Sequence, residues 1–182
     1  VLFHREEDVI HLEVLQRQKD LGKCKSIGMS CGHDPETVKI LFESEELDVF
    51  QIPANIMDQR HFKKETFSFS NQKKAAIFLR SVFLQGILTM RNNKIPKTLE
   101  ALKPLHLRYS TLAKKAGMTL KELSMRAMIS SGASNLIIGN DSLTQLKENI
   151  SIFDRGPLPK ELMQTLTQNS EELDRRWVTP AL

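Results

Sequence analysis

The sequence predicts an α/β protein built on a parallel sheet, and three observations carry that expectation. Short apolar runs alternate with helical patterns along the chain. The runs are apolar at successive positions, as strands covered by helices on both faces are. The first three begin at residues 1, 25 and 47, an interval that suits one strand–helix unit.

The elements follow in order. Val1 to His4 reads as a strand. Asp8 to Lys23 carries Ile10, Val14, Leu15 and Leu21 at helical spacing and closes on Gly22. Lys25 to Ser30 is the second strand. Asp34 and Pro35 open the next helix, Asp as N-cap and Pro at the first helical position, with Val38, Leu41 and Phe42 as its apolar side. Leu47 to Ile52 is the third strand. In the next segment Thr66 to Ser70 alternates like a strand while its flanks look helical, and Phe62 to Lys74 is read as helix. Ala75 to Ser81 is the fourth strand. Arg91 to Lys97, polar and holding Pro96, is a long loop before a helix pair around Leu112 to Met128. Asn135 to Gly139 is the fifth strand. Residues 154–182 form a C-terminal tail: Gly156 to Pro159, one amphipathic helix through about Arg176, then Trp177.

The whole, residues 1–182, reads as one domain. Five strand–helix units do not close an eight-stranded barrel; they make the C-terminal half of a (β/α)8 TIM barrel. The chain does not begin with Met, and its first residues already read as a strand in progress. The expectation is therefore an upstream region, without which two open strand edges would promote self-association.

Composition narrows the function. A net charge of +4 is too small to demand nucleic acid or a membrane surface as partner, and a mildly basic solvated surface is the simpler reading. No apolar run approaches a membrane span, and no signal peptide is visible. Cys24 and Cys31 are the only cysteines. A strand between them would hold them roughly 23 Å apart, beyond disulfide reach. Two cysteines also make no zinc site, so no metal is expected. Free thiols suit a cytoplasmic location.

Several residues stand where chemistry happens in such a fold, at the carboxyl ends of strands. His4 ends the first strand and can donate to, or relay a proton from, a carbonyl oxygen; a surface histidine at a frayed terminus is the plainer reading. Ser30 ends the second strand. Gln51 is an amide inside the apolar run Val49 to Ile52, so it either points into a ligand site or satisfies nearby backbone. Arg80 to Gly86 brings a charge, a hydroxyl and a glycine directly after a strand, where late barrel loops assemble phosphate sites. Gly139 to Asn149 runs from the fifth strand into a helix that Ser142 and Gln145 cap as a capping box. Its free N–H groups suit a phosphate, although any capped helix looks alike. Leu112 to Leu123 imitates a DNA-binding helix-turn-helix, with Gly117 at the turn and a Thr119/Glu122 capping box. The second helix carries Leu123, Met125, Ala127 and Met128, too apolar for a groove-reading surface.

Six segments together resemble the aldo-keto reductase family, in a bacterial-type branch: LFHRE at 2–6, GKCKSIGMS at 22–30, FQIPANIMDQR at 50–60, RSVFLQGIL at 80–88, the helix pair from Leu112 to Met128, and IIGNDSLTQLKENI at 137–150. Their order and spacing match barrel strands four to eight. The resemblance implies an NAD(P)H-dependent oxidoreductase that reduces an aldehyde or ketone, a sugar or other small carbonyl, with NADP or NAD as cofactor. It implies that His4 is the catalytic histidine and that Ser30 and Gln51 hold the nicotinamide carboxamide. It implies that Ser81 and Leu84 belong to the pyrophosphate cradle. It implies that Gly139, Asn140, Asp141, Ser142, Gln145 and Asn149 surround the adenosine and its 2′-phosphate. The family's catalytic Asp, Tyr and Lys precede this histidine, so the chain alone is expected to be inactive. The departures are Cys31 where the family has Asn, Arg80 where an aromatic often stacks on the nicotinamide, and Gly139 and Gln145 where basic residues grip the 2′-phosphate. Those last departures, with Asp141, put a preference for NADP in doubt. The rival reading is a non-catalytic nucleotide-binding or regulatory protein on the same fold.

Overall fold

Five parallel strands pair in chain order to form one sheet: β1 (Leu2–Phe3), β2 (Gly28–Ser30), β3 (Val49–Pro53), β4 (Ala76–Arg80) and β5 (Asn135–Leu136). The computed structural model describes residues 1–44, 46–63, 66–67, 75–133, 135–168 and 173–177. Register pairs Phe3 with Met29, Ser30 with Gln51, Pro53 with Arg80 and Leu79 with Leu136. The sheet is not closed among the described residues, and β1 and β5 are its edges.

The strands form where alternate apolar residues fill one face completely, while Val49, Gln51, Ala76, Phe78 and Arg80 on the other face are only half-buried, unlike the expected strands covered on both faces. Ile27, Met29, Phe50, Ile52, Ile77 and Leu79 are all buried. Phe42, on helix α2 (Pro35–Ser44), stacks on Phe50 with ring centroids 3.8 Å apart. Burying such a ring contributes roughly 1.5–3 kcal/mol beyond leaving it in water. Gly28 has a separate reason to be glycine: a Cβ there would collide with the Val49 carbonyl on the neighbouring strand.

The remaining helices are α1 (Leu12–Asp20), α3 (Arg60–Lys63), α4 (Lys103–Lys115), α5 (Leu120–Ile129), α6 (Leu143–Phe153) and α7 (Lys160–Gln168). Helix α5 buries Leu123, Ser124, Met125, Ala127 and Met128, so the face a groove-reading helix would show to DNA is packed inside. At the start of α2, Asp34 Oδ1 accepts from the Glu36 N–H at 3.4 Å, the bond its capping role requires, and Oδ2 accepts from Thr37 Oγ1 at 2.8 Å.

Several expectations need correction. The segment Asp8 to Lys23 is a 3-10 turn (Glu6–His11) leading into α1. Only part of its apolar stripe faces the core: Ile10, Val14 and Leu21 are exposed, while Leu15, with Val9 and Leu12, is partly buried against the core. The fifth strand is shorter than expected, Asn135–Leu136, followed by one more bond to β4 from the Ile137 N–H to the Leu79 carbonyl at 2.7 Å. Arg91 to Lys97 is not plain loop but carries 3-10 turns at Asn92–Lys94 and from Lys97. The tail helix is described over Lys160–Gln168, residues 169–172 lie outside the described residues, and Arg175–Trp177 form a 3-10 turn rather than its continuation. Of the helix read over Phe62 to Lys74, residues 64–65 and 68–74 lie outside the described residues.

Candidate functional site

Ser30, at the carboxyl end of β2, and Gln51, in the middle of β3, stand opposite each other in register. Ser30 Oγ donates to Gln51 Oε1 at 3.1 Å. Both side chains are half-buried. The bond uses the amide oxygen and leaves Nε2 as a donor for something else. The next residue, Cys31, is fully buried, and its N–H donates to the Gln51 carbonyl. Burial, helped by Glu6, pushes its thiol up to about 12 against the opposing pull of Arg80. Cys31 is therefore a neutral packing residue and no nucleophile.

Arg80, at the end of β4, joins this pair to the next part of the site. Its Nη2 donates to the Cys31 carbonyl at 3.0 Å, and its Nη1 donates to Ser81 Oγ at 3.3 Å. Its Nε is buried without a partner. Burial lowers its pKa and the nearby Cys31 raises it, yet an arginine stays charged at any ordinary pH.

The chain then makes a turn dominated by left-handed residues: Ser81 (φ 61°), Leu84 (φ 45°), Gln85 (φ 51°) and Gly86 (φ 91°). Such conformations cost non-glycine residues roughly 1–3 kcal/mol each and persist where surrounding structure enforces them. Here Leu84 supplies the enforcement. Its side chain is fully buried, and it anchors the turn from below. The Leu84 side chain does not line the cleft above it.

That cleft, of about 810 Å³, lies between this turn, the start of α5 and the chain around α6. Ser81, Gln85, Gly86, Lys121, Gly139, Asp141, Gln145, Glu148 and Asn149 are among its walls. Of its charged lining residues, Lys121 already pairs with Glu148 at 2.6 Å and sits 6.0 Å from the Phe83 ring centroid, while Asp141 adds a second negative charge. Ser142 Oγ accepts from Gln145 N–H at 3.2 Å, and Gln145 Oε1 accepts from Asp141 N–H at 2.8 Å. The capping box therefore exists, with its return bond one residue earlier than the motif requires. Asn149 Nδ2 donates to Asn140 Oδ1 at 2.7 Å, while Asn149 Oδ1 is buried with no partner. Asn140 and Ser142 shape this wall without lining it.

The structure thus brings the expected residues together in two groups. Ser30 and Gln51 meet across β2 and β3. Ser81, Gly139, Asp141, Gln145 and Asn149 share the cleft. Arg80 bridges the two groups. His4 is exposed, one residue beyond the Phe3–Met29 pair, which places it next to Ser30 in register. Lys121 and Glu148 were not singled out by the sequence. One signal was available for Lys121, since a lysine in the first turn of a helix opposes the helix dipole.

A second polar group, beneath the loop after β3, has a structural role. Asn55 Oδ1 accepts from the N–H groups of Met57 and Asp58, both at 2.9 Å. Gln59 Nε2 donates to the Ile56 carbonyl at 2.7 Å and to the Tyr109 hydroxyl at 3.2 Å. Arg60 Nη2 donates to the Leu173 carbonyl at 2.9 Å, which ties the tail to the start of α3. Tyr109, the only tyrosine, is consumed in this core. Among the described residues no cluster of three or more His, Cys, Asp or Glu could hold a metal, and no helix is long and apolar enough to cross a membrane.

Residues 4–171 match the profile described as the Aldo/keto reductase family. No curated protein matches the chain in sequence. Among solved structures, the holo form of aldo-keto reductase AKR11C1 from Bacillus halodurans superposes with a TM-score of 0.75 at 18% identity, over 98% of this chain and 61% of that one. The glycerol dehydrogenase AKR11B4 from Gluconobacter oxydans follows with 0.66 at 19% identity, over 88% and 55%. An aldo-keto reductase from Klebsiella pneumoniae in complex with NADPH gives 0.63 at 15% identity, over 94% and 57%. The chain thus spans about three fifths of the length of the structures it matches.

Proposed function

From the premise that this chain belongs to the aldo/keto reductase family, we propose that it carries the cofactor-binding part of an NAD(P)H-dependent oxidoreductase that reduces an aldehyde or ketone. The observation that supports the reading is the cleft of about 810 Å³, in whose walls the left-handed turn after β4 meets Gly139, Gln145 and Asn149 around the capped start of α6. Asn149, held by Asn140 at 2.7 Å, would border the adenine from that wall.

The other residues fit along one path. Ser30 and Gln51 would hold the carboxamide of the nicotinamide through the Gln51 amide nitrogen. The turn from Ser81 to Gly86 would pass the pyrophosphate. Gly139, Asp141 and Gln145 would border the adenosine, with Asn140 and Ser142 holding that segment in shape. His4, beside Ser30 in register, would hydrogen-bond the substrate carbonyl. The cofactor, when bound, supplies the hydride, and the protein's part is alignment. The charge of the cleft favours NAD over NADP, because Asp141 and Glu148 outnumber Lys121 where a 2′-phosphate would bring more negative charge.

The test is direct binding of NADH and NADPH to the full-length protein by calorimetry, with Asn149→Ala alongside. Expected is micromolar binding that Asn149→Ala weakens about tenfold, equivalent to ~1.4 kcal/mol. No binding of either dinucleotide at millimolar concentration would overturn the reading.

A further inference from the structure

Arg80 is a half-buried cation without a counter-ion among the described residues. Its contacts are a backbone carbonyl and a hydroxyl, and both are neutral. Its Nε has no partner at all. Glu6, the carboxylate that acts on neighbouring Cys31, accepts instead from the Gly32 N–H at 3.0 Å. Burying an arginine without a carboxylate is costly, and such an arrangement marks a site where the free charge has work to do.

The position is equally specific. Arg80 holds the carbonyl of Cys31, the residue that follows Ser30, and the Cys31 N–H in turn holds the Gln51 carbonyl. The guanidinium therefore sits one residue away from the Ser30–Gln51 pair and is fixed there by two hydrogen bonds. Resting on the cofactor reading above, we propose that Arg80 makes this site select the redox state of its cofactor, binding the reduced nicotinamide in preference to the oxidised one. The physical reason is charge. An oxidised nicotinamide ring is a cation and a reduced one is neutral. A fixed positive charge beside the ring repels only the first. At about 5 Å and an effective dielectric of about 20, that repulsion is large enough to exceed a tenfold difference in affinity. A neutral aromatic at this position would stack on both forms without this bias. The same preference orients the enzyme toward carbonyl reduction, since the product form of the cofactor is the one expelled.

The experiment is calorimetric binding of NADH and NAD⁺ to the full-length protein, for the wild type, Arg80→Gln and Arg80→Lys. The wild type is expected to bind NADH at least about tenfold tighter than NAD⁺. Arg80→Gln should bring the two affinities within about threefold by improving NAD⁺ binding, and Arg80→Lys should keep most of the preference. Equal affinities in the wild type would overturn the proposal, even if Arg80→Gln fails to fold. So would a ratio that Arg80→Gln leaves unchanged, or equal weakening of both forms, which would assign Arg80 to the pyrophosphate. In each of these cases the cofactor reading survives, whereas failure of both dinucleotides to bind removes both.

Discussion

Asp58 accepts a 2.6 Å hydrogen bond from Arg60 Nε with both side chains almost completely buried. His33 Nδ1 lies 3.2 Å from the other carboxylate oxygen. Burial alone would push the Asp58 carboxyl up, but the hydrogen bonds from His33 and Arg60 more than offset it and hold it below its ordinary 3.8. Removing one partner of such a pair strands the other charge. Asp58→Ala is expected to lose about 3–5 kcal/mol in urea unfolding, and a loss under about 1 kcal/mol would show the knot to be dispensable. Because the folded carboxyl lies below the unfolded one, this stabilisation is complete above pH 3.8 and fades as pH falls through the lower folded value.

His61 has the opposite chemistry and the same direction of acid sensitivity. Burial pushes its imidazole down from 6.5 to about 4, so it is neutral in the folded protein. The unfolded chain binds a proton that the folded one refuses between those values. Stability is therefore full above pH 6.5 and falls toward pH 4, by about 3 kcal/mol over the window. His61→Leu should flatten the melting temperature between pH 7 and 5. A slope unchanged in that variant would assign the acid sensitivity elsewhere.

Two glycines should respond differently to the same substitution. At Gly28 an added Cβ meets the backbone carbonyl of Val49, which cannot yield without breaking the pairing of β2 with β3. Gly28→Ala is expected to abolish soluble folding. At Gly86 the nearest side-chain atom is 3.8 Å away, so Gly86→Ala pays only for its positive φ of 91°. That should cost about 1–2 kcal/mol in denaturant melts; similar losses at both sites would refute the steric account of Gly28.

The charge balance of the cleft predicts how its selectivity changes. Glu148→Gln releases Lys121 from its 2.6 Å ion pair and removes one negative charge from the lining. NADPH affinity should rise several-fold while NADH affinity changes little. If both rise equally, Glu148 is repelling the pyrophosphate rather than excluding a 2′-phosphate.

The strands were legible because a buried parallel strand announces itself by local composition. Val49 to Ile52 and Ala76 to Leu79 need no partner to be recognised. The α6 cap was legible for the same reason, since Ser142 and Gln145 lie within one turn. The exposed part of the α1 stripe was misread because periodicity marks a helix without saying which way it faces. Glu148 was invisible because its partner, Lys121, lies 27 residues away. The uncompensated charge of Arg80 could not be read at all, since a missing counter-ion is a property of everything around it.

The sequence by itself determined the alternation of strand and helix, the family, and the residue types at each strand end. Those are local quantities, written in spacing and propensity. The tertiary structure alone decided which of those residues meet. Ser30 and Gln51 are 21 residues apart and Arg80 and Cys31 are 49 apart. Sheet register brings them together, and register is set by the packing of the sheet's buried face against the rest of the fold rather than by any one segment.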